Sequence, residues 1–261
     1  MINCRTIALL SLYDADQWIT RKIENIKSLP EFGNELGVFI IDAGKNSQNT
    51  VAQISTFTNE YPTYVEAVSM RERVSIYEAW NIGILNSSSE FVMNTNVDDL
   101  LSSIAISELV NGLMIDGNLQ FGLSYATYLV TKDPKSANEF NPDAAYRISQ
   151  AVPYNHSSLM RFNYIGPCPL WMRSLHEKVG LFDSTMKVAG DWDFWCRASQ
   201  YFDFNLVNRP ICLYAERPDQ AEHMMIGDKR VVEIEAASII TKNMTERFYK
   251  QSRNGTMISY E

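Results

Sequence analysis

Basic charge is in deficit: 23 Lys and Arg against 31 Asp and Glu leave a formal charge of −8 over 261 residues. Nucleic acid and anionic membrane both select a basic surface, so general affinity for either is disfavoured. A nucleotide held in a local site remains open. Cysteine is sparse too. Cys4, Cys168, Cys196 and Cys212 form no CxxC pair and no zinc-type spacing, which points to reduced thiols in a cytosolic protein. No apolar run approaches a membrane span. The start, MINCRTIALL, lacks the basic residues, long apolar middle and cleavage site of a signal peptide. The sequons at Asn86, Asn155, Asn243 and Asn254 therefore read as chance matches.

Catalytic signatures are missing as well. There is no GxGxxG after the first apolar run, which disfavours a dinucleotide-binding Rossmann domain. The phosphate loop GxxxxGK[ST], the metalloprotease HExxH and the nucleophile elbow GxSxG are all absent. Repeats, linkers and low-complexity segments are not seen either. With 46% hydrophobic residues the chain can bury a large core, and one domain over 1–261 is expected.

What is present is an alternation. TIALLSL (6–12) reads as a central strand, followed by a helix carrying Trp18, Ile19, Ile23 and Ile26, with Asp16 as its N-cap. GVFII (37–41) is a second strand and 48–61 the next helix; 63–68 is a third strand and 74–85 a further helix. FVM (91–93) follows as a buried strand. Such βα alternation predicts a doubly wound, mostly parallel α/β sheet with helices on both faces. Right-handed crossovers would bring Tyr13, Asp42 and Asp98 to one edge, where ligands bind in open α/β sheets. Beyond Asp99 the pattern loosens. The expectations there are a helix over 104–115, one or two strands over 120–131, and an irregular connection over 132–154. Helices at 171–179 and 191–201 and two closing strands at 204–207 and 211–214 come next, then a helical tail over 221–249. The expected division is 1–100, 101–215 and a C-terminal helical extension over 216–261.

The acidic stretch FVMNTNVDD (91–99) is the centre of the candidate chemistry. Adjacent carboxylates repel unless a cation or several donors compensate them, and hard oxygens suit Mg²⁺ or Mn²⁺. Asp98 and Asp99 are thus either a solvated turn or a metal and diphosphate site. Asp42 is either a turn residue or an acceptor of hydrogen bonds from a base or ribose. Asn81 is either a helix amide or a ribose contact. In GDWDFWCR (190–197), Asp191 is either an N-cap or a general base beside aromatic rings. Trp171, Trp192 and Trp195 either line a sugar pocket or fill the core, and Arg173 and His176 either face phosphate or support the fold.

The pieces YDADQWI, FIIDAG, IYEAWNIGI, FVMNTNVDD, GPCPLWMRSLHEKVGLFD and GDWDFWCR, in this order, resemble the inverting nucleotide-sugar glycosyltransferases of family 2, which have the GT-A fold. The resemblance spans residues 6–214 and implies a nucleotide-binding half over 1–100 and an acceptor half over 101–215. It implies that Ser11, Tyr13, Asp42, Asn81, Asn96, Asp98 and one of Arg71 or Arg73 hold a UDP- or TDP-sugar. Asp99, with His223, would bind Mn²⁺ or Mg²⁺, and Asp191 would be the catalytic base. Trp171, Arg173 and Trp192 would border the acceptor, a glycan or glycolipid, with specificity in 132–154 and the C-terminal helix. Bacterial polysaccharide assembly at the inner membrane face is the family-level expectation. Three positions depart from the family: Asp14 for an asparagine, Asn96 for an aspartate and Gly190 for a glutamate. Rival readings are a non-catalytic sugar-nucleotide or glycan-binding module and a nucleotidyltransferase. The latter wants a glycine-rich basic loop where this chain has SLYDADQW.

Overall fold

The chain is described from a computed structural model over residues 2–133, 139–216 and 229–253. Strands β1 (Thr6–Leu12) and β2 (Leu36–Asp42) are apolar on both faces, because each lies inside the sheet with helices on either side. β3 (Val65–Ser69) alternates between buried and open positions, as an edge strand does. β1 pairs in parallel with β2 and with β4 (Phe91–Asn94), and β2 with β3. The connecting helices are α1 (Ile19–Lys27), α2 (Gln48–Glu60) and α3 (Ile76–Leu85). Ser47 and Ser75 cap α2 and α3 by accepting the amides of Thr50 and Glu78.

The second half adds β5 (Leu100–Leu101), α4 (Ala105–Gly112), a hairpin of β6 (Met114–Ile115) and β7 (Asn118–Leu119), and β8 (Leu123–Thr131). After a 3₁₀ turn at Pro142–Ala144 come β9 (Arg147–Ile148), α5 (His156–Leu159), β10 (Leu170–Met172), α6 (Ser174–Val179), α7 (Gly190–Ala198), β11 (Phe204–Ala215) and α8 (Lys229–Arg253). One nine-stranded sheet takes strands from both halves in the order β3-β2-β1-β4-β10-β8-β11-β5, with β9 on β8. β10 runs antiparallel between β4 and β8, and β5 antiparallel to β11; the other main pairings are parallel. The expected mostly parallel sheet with helices on both faces is what forms. Ala8, Leu10 and Leu12 point into a layer with α1, α2 and α4. Ile7 and Leu9 point into an aromatic layer with α3, α6, α7 and α8.

Four local expectations differ. Asp16 does not cap α1, which starts at Ile19; it instead accepts the Ser47 amide at 2.9 Å and the Thr50 hydroxyl, tying the loop after β1 to α2. Leu170–Met172 is a strand rather than the start of a helix, since a short apolar run satisfies either period and pairing between β4 and β8 decides it. The helix over 104–115 stops at Gly112, because Asp116-Gly117, both at positive φ, make the turn of a hairpin. The two closing strands are one, β11, with register shifts around Pro210, which has no amide to donate.

Candidate active site

The loop after β4 is held from behind by α1. Arg21 donates to the Asp98 carbonyl at 2.7 Å, Lys22 to the Asp99 carbonyl at 3.0 Å and to the Thr95 hydroxyl. Asn25 closes the clamp by bonding both the amide and the carbonyl of Leu101, at 2.9 and 2.8 Å. Lys22 is fully buried, and burial lowers its pKa. No role was expected for these three residues. Lys22 lies on the helix face of Ile19, Ile23 and Ile26, and a lysine within an apolar stripe is the signal that could have revealed it.

Asp99 is also fully buried. Its Oδ1 accepts the Ala215 amide at 3.1 Å and its Oδ2 the Asn96 amide group at 2.9 Å. Burial, then the neighbouring Asp98 charge, raises its pKa. Its other neighbours are the thiols of Cys168 and Cys212, which are 3.7 Å apart. Soft thiols and a buried ammonium do not make a site for a hard divalent cation. In this arrangement Asp99 is a latch between the acidic loop and β11. His223 lies outside the described residues.

The C-terminal ends of β1, β2 and β3 form the adjoining rim. Ser11 is half-buried on β1. Tyr13 is 38% exposed, with the Arg73 guanidinium 4.3 Å and the Lys45 ammonium 5.7 Å from its ring centre. Arg73 rather than Arg71 thus packs on Tyr13; Arg71 is an exposed loop residue after β3. Lys45, paired with Asp14, was not foreseen. Asp14 sits at φ 54°, a left-handed conformation that Asp tolerates nearly as well as the family's Asn. The Asp42 carboxylate accepts from Gly44 and Asn46 of its own loop at 3.1 and 2.6 Å and from Ser69, at the end of the neighbouring β3, at 3.2 Å.

Asp191 stands in the first turn of α7 and is half-buried. Its oxygens accept from Tyr77 Oη at 3.4 Å and from Asn163 Nδ2 at 3.1 Å. Burial pushes its carboxyl above the ordinary range, and the bonds from the Trp192 amide, Asn163 and Tyr77 pull it back only in part. The N-cap of α7 is Ala189, so Asp191 is not the cap. Tyr77 opens α3, the helix that follows β3, so Asp191 belongs to the same sheet edge as the acidic loop. Gly190 explains itself here. A Cβ on it would come within 2.7–2.9 Å of the Tyr77 ring, so the family's glutamate cannot fit without displacing the residue that bonds Asp191.

Four of the singled-out side chains are engaged within the fold. Asn81 is buried and clamps the Phe182 backbone, donating to its carbonyl at 2.9 Å and accepting its amide at 3.0 Å. Trp171 is fully buried, edge-on to Trp195, with its N–H on His176. Trp192 is buried with its N–H on the Leu159 carbonyl. Arg173 lies beside Glu90 at the opposite end of β4, donating to the Ile84 carbonyl and Ser87. Trp171 and Trp192 build the aromatic layer beneath α7, and Arg173 ties the far end of β4 to the end of α3. His176 likewise supports the fold.

Solved structures share this architecture. Residues 1–349 of S. aureus TarS in complex with UDP-GlcNAc superpose with a TM-score of 0.64 at 11% identity, covering 82% of this chain and 59% of that one. The mannosyltransferase PcManGT from Pyrobaculum calidifontis, in complex with GDP-Man and Mn²⁺, gives 0.63 at 15% identity over 97% of this chain and 76% of that one. The chain thus spans under two thirds of the ligand-bound TarS chain. No protein-family model and no curated protein matches. No helix among the described residues is long and apolar enough to cross a membrane. The fold is the GT-A-like α/β fold of glycosyltransferases.

Proposed function

We propose that this chain is an inverting glycosyltransferase of the family 2 type, moving a sugar from a nucleotide-sugar donor to an acceptor hydroxyl. The observation that carries the reading is Asp191, a half-buried carboxylate of raised pKa on the sheet edge that also bears the acidic loop. A general base must be ionised at working pH yet still want a proton, and a carboxyl above its ordinary range meets both needs. Asp191 would take the acceptor hydroxyl's proton as that oxygen attacks the anomeric carbon. Tyr77 and Asn163 hold the carboxylate on two sides and leave it lone pairs for the acceptor.

The donor would lie along the rim, with its base over Tyr13 and Arg73 and its diphosphate towards Asp98. Ser11 lies at this rim, and Asp42 shapes its floor. Asp98 and the side-chain oxygen of Asn96 are the hard donors here that fit Mg²⁺ or Mn²⁺. Such an ion, when bound, offsets the charge developing on the diphosphate leaving group. The connection around β9 is a fitting acceptor wall, because Ile148 pairs with Leu129 near the same end of β8.

The test is a panel of UDP-, TDP- and GDP-sugars with Mn²⁺, read as nucleotide release and acceptor-dependent transfer. Asp191→Asn should lower transfer by about 10²-fold or more, with donor affinity near normal. In the parent protein the acidic limb of kcat/KM should fall above the ordinary carboxylate pKa of about 4. Transfer that survives in Asp191→Asn removes the base. Donor binding without any turnover would favour a binding module.

A further inference from the structure

Asp191 has two side-chain partners, and the Tyr77 bond is long at 3.4 Å. Its placement therefore depends on the backbone that carries it, and that backbone is held by a residue far along the chain. The Glu235 carboxylate, on α8, accepts three successive amides: Lys187 at 2.8 Å, Val188 at 3.1 Å and Ala189 at 2.9 Å. These amides lead directly into α7, whose N-cap, Ala189, has no side chain able to cap. Three consecutive N–H groups converging on one anion form a nest, and the negative charge also suits the positive end of the α7 dipole.

The rest of α8 is fixed to the same helix. Ile239 is buried in the aromatic layer, and Lys242 donates to Asp193 at 3.1 Å. Asp193 is shared with Arg197, whose guanidinium also bonds the carbonyls of Val179 and Leu181. Residues 235, 239 and 242 are spaced as one helical face. Glu235 is the member of that face that reaches the segment entering the catalytic turn.

We infer that Glu235 is a positioning residue for Asp191, through which the C-terminal helix sets the geometry of the base. The inference rests on Asp191 being the base, and the experiment separates the two. Hydrogen exchange over 187–192, read by mass spectrometry, needs no substrate. Glu235→Ala should raise exchange there by about tenfold or more and leave the exchange of α3 unchanged. In transfer assays it should lower kcat by at least about tenfold while donor KM stays within about twofold, since a small misplacement of a reacting group acts on the chemical step. Glu235→Gln, which keeps a carbonyl oxygen at the nest, should recover part of both losses. It also decides the matter should the alanine variant fail to melt cooperatively. Lys242→Gln is the control that loosens α8 without touching 187–189. Unchanged exchange and kcat in both Glu235 variants overturn the inference. So does an equal loss in Lys242→Gln, which would assign the effect to docking of the helix in general. If Asp191→Asn retains transfer, the base assignment fails by itself, and the exchange result still reports on the Glu235 contact.

Discussion

Asn96 donates to Asp99 Oδ2 at 2.9 Å in a place where Asp99 has no exposure to water. An aspartate at 96, the commoner residue in the resembling family, would exchange that donor for a third carboxylate beside Asp98 and Asp99. Like charges in a buried cluster are tolerated only if one takes up a proton or a cation neutralises them. Asparagine thus lets the acidic loop stay folded without metal. Asn96→Asp should then lower stability by about 1–3 kcal/mol in chelator, the usual cost of a lost buried hydrogen bond with repulsion added. Millimolar Mn²⁺ should recover part of that loss, because a charged carboxylate oxygen at 96 holds the ion more strongly than the amide oxygen it replaces. Thermal melts with EDTA and with Mn²⁺ check this; a variant as stable as its parent in EDTA would contradict it. The same scale accounts for Gly190. Its lack of a side chain is what allows the Tyr77 ring to lie against the start of α7. Both departures from the family pattern are local adjustments around intact carboxylates.

At the scale of elements, α1 turns polar side chains inward. Lys22 and Asn25 sit among Ile19, Ile23 and Ile26, and with Arg21 they hold the backbone of residues 98–101. Truncating Lys22 leaves a cavity and strips partners from the Thr95 hydroxyl and the Asp99 carbonyl. Lys22→Ala should cost about 3 kcal/mol or more, as for other broken buried charge contacts. By contrast, Arg5→Ala removes an exposed ion pair to Glu90 and should cost less than about 1 kcal/mol. Urea melts of the two variants would show the contrast, and similar losses would refute it. This clamp also marks how far the sequence can be read. The central strands are legible because short β-rich runs such as TIALLSL alternate with helical patterns, and that alternation places them inside a parallel sheet. The rim was legible because Tyr13 and Asp98 follow such strands directly. The partners of the acidic loop were not legible: Asn25, Lys22 and Ala215 reach residues 99–101 from distant parts of the chain, and helical spacing says nothing of what a helix touches. For the same reason Trp171 looked like a pocket residue. Tryptophan density is the same whether the rings line a cleft or pack on one another, and here Trp171, Phe182 and Trp195 do the latter.

Across the molecule the sheet separates two unlike layers. The α1, α2 and α4 side is aliphatic and holds the acidic loop; the α3, α6, α7 and α8 side is aromatic and carries Asp191. The aromatic layer has a titrating member. His176 stacks on Phe194, and its Nε2 accepts the Trp171 N–H at 2.9 Å, which leaves the proton on Nδ1 to meet the Gly180 carbonyl at 3.1 Å. Protonating Nε2 would break the Trp171 bond. Burial foremost, and then the Arg173 and Arg197 charges, lower the pKa from 6.5 to about 4. The folded state thus favours neutral imidazole. Its contribution is present in full above pH 6.5 and is lost as pH falls through 6.5 towards 4. The amount is about 2 kcal/mol once the ring's partial exposure is allowed for. Asp99 and Asp191 act with opposite sign, since raised carboxyl pKa values favour the fold as protons bind. A melt of the parent protein alone therefore mixes the two effects. The difference between parent and His176→Gln isolates the histidine. Glutamine can still accept from Trp171 but does not titrate, so the variant should be the less stable at pH 7.5, with the gap closing by about 2 kcal/mol towards pH 4.5. A gap that stays constant over this range would mean that His176 does not couple the aromatic layer to pH. A gap that closes would place a proton-sensitive contact within the same layer that holds the proposed base.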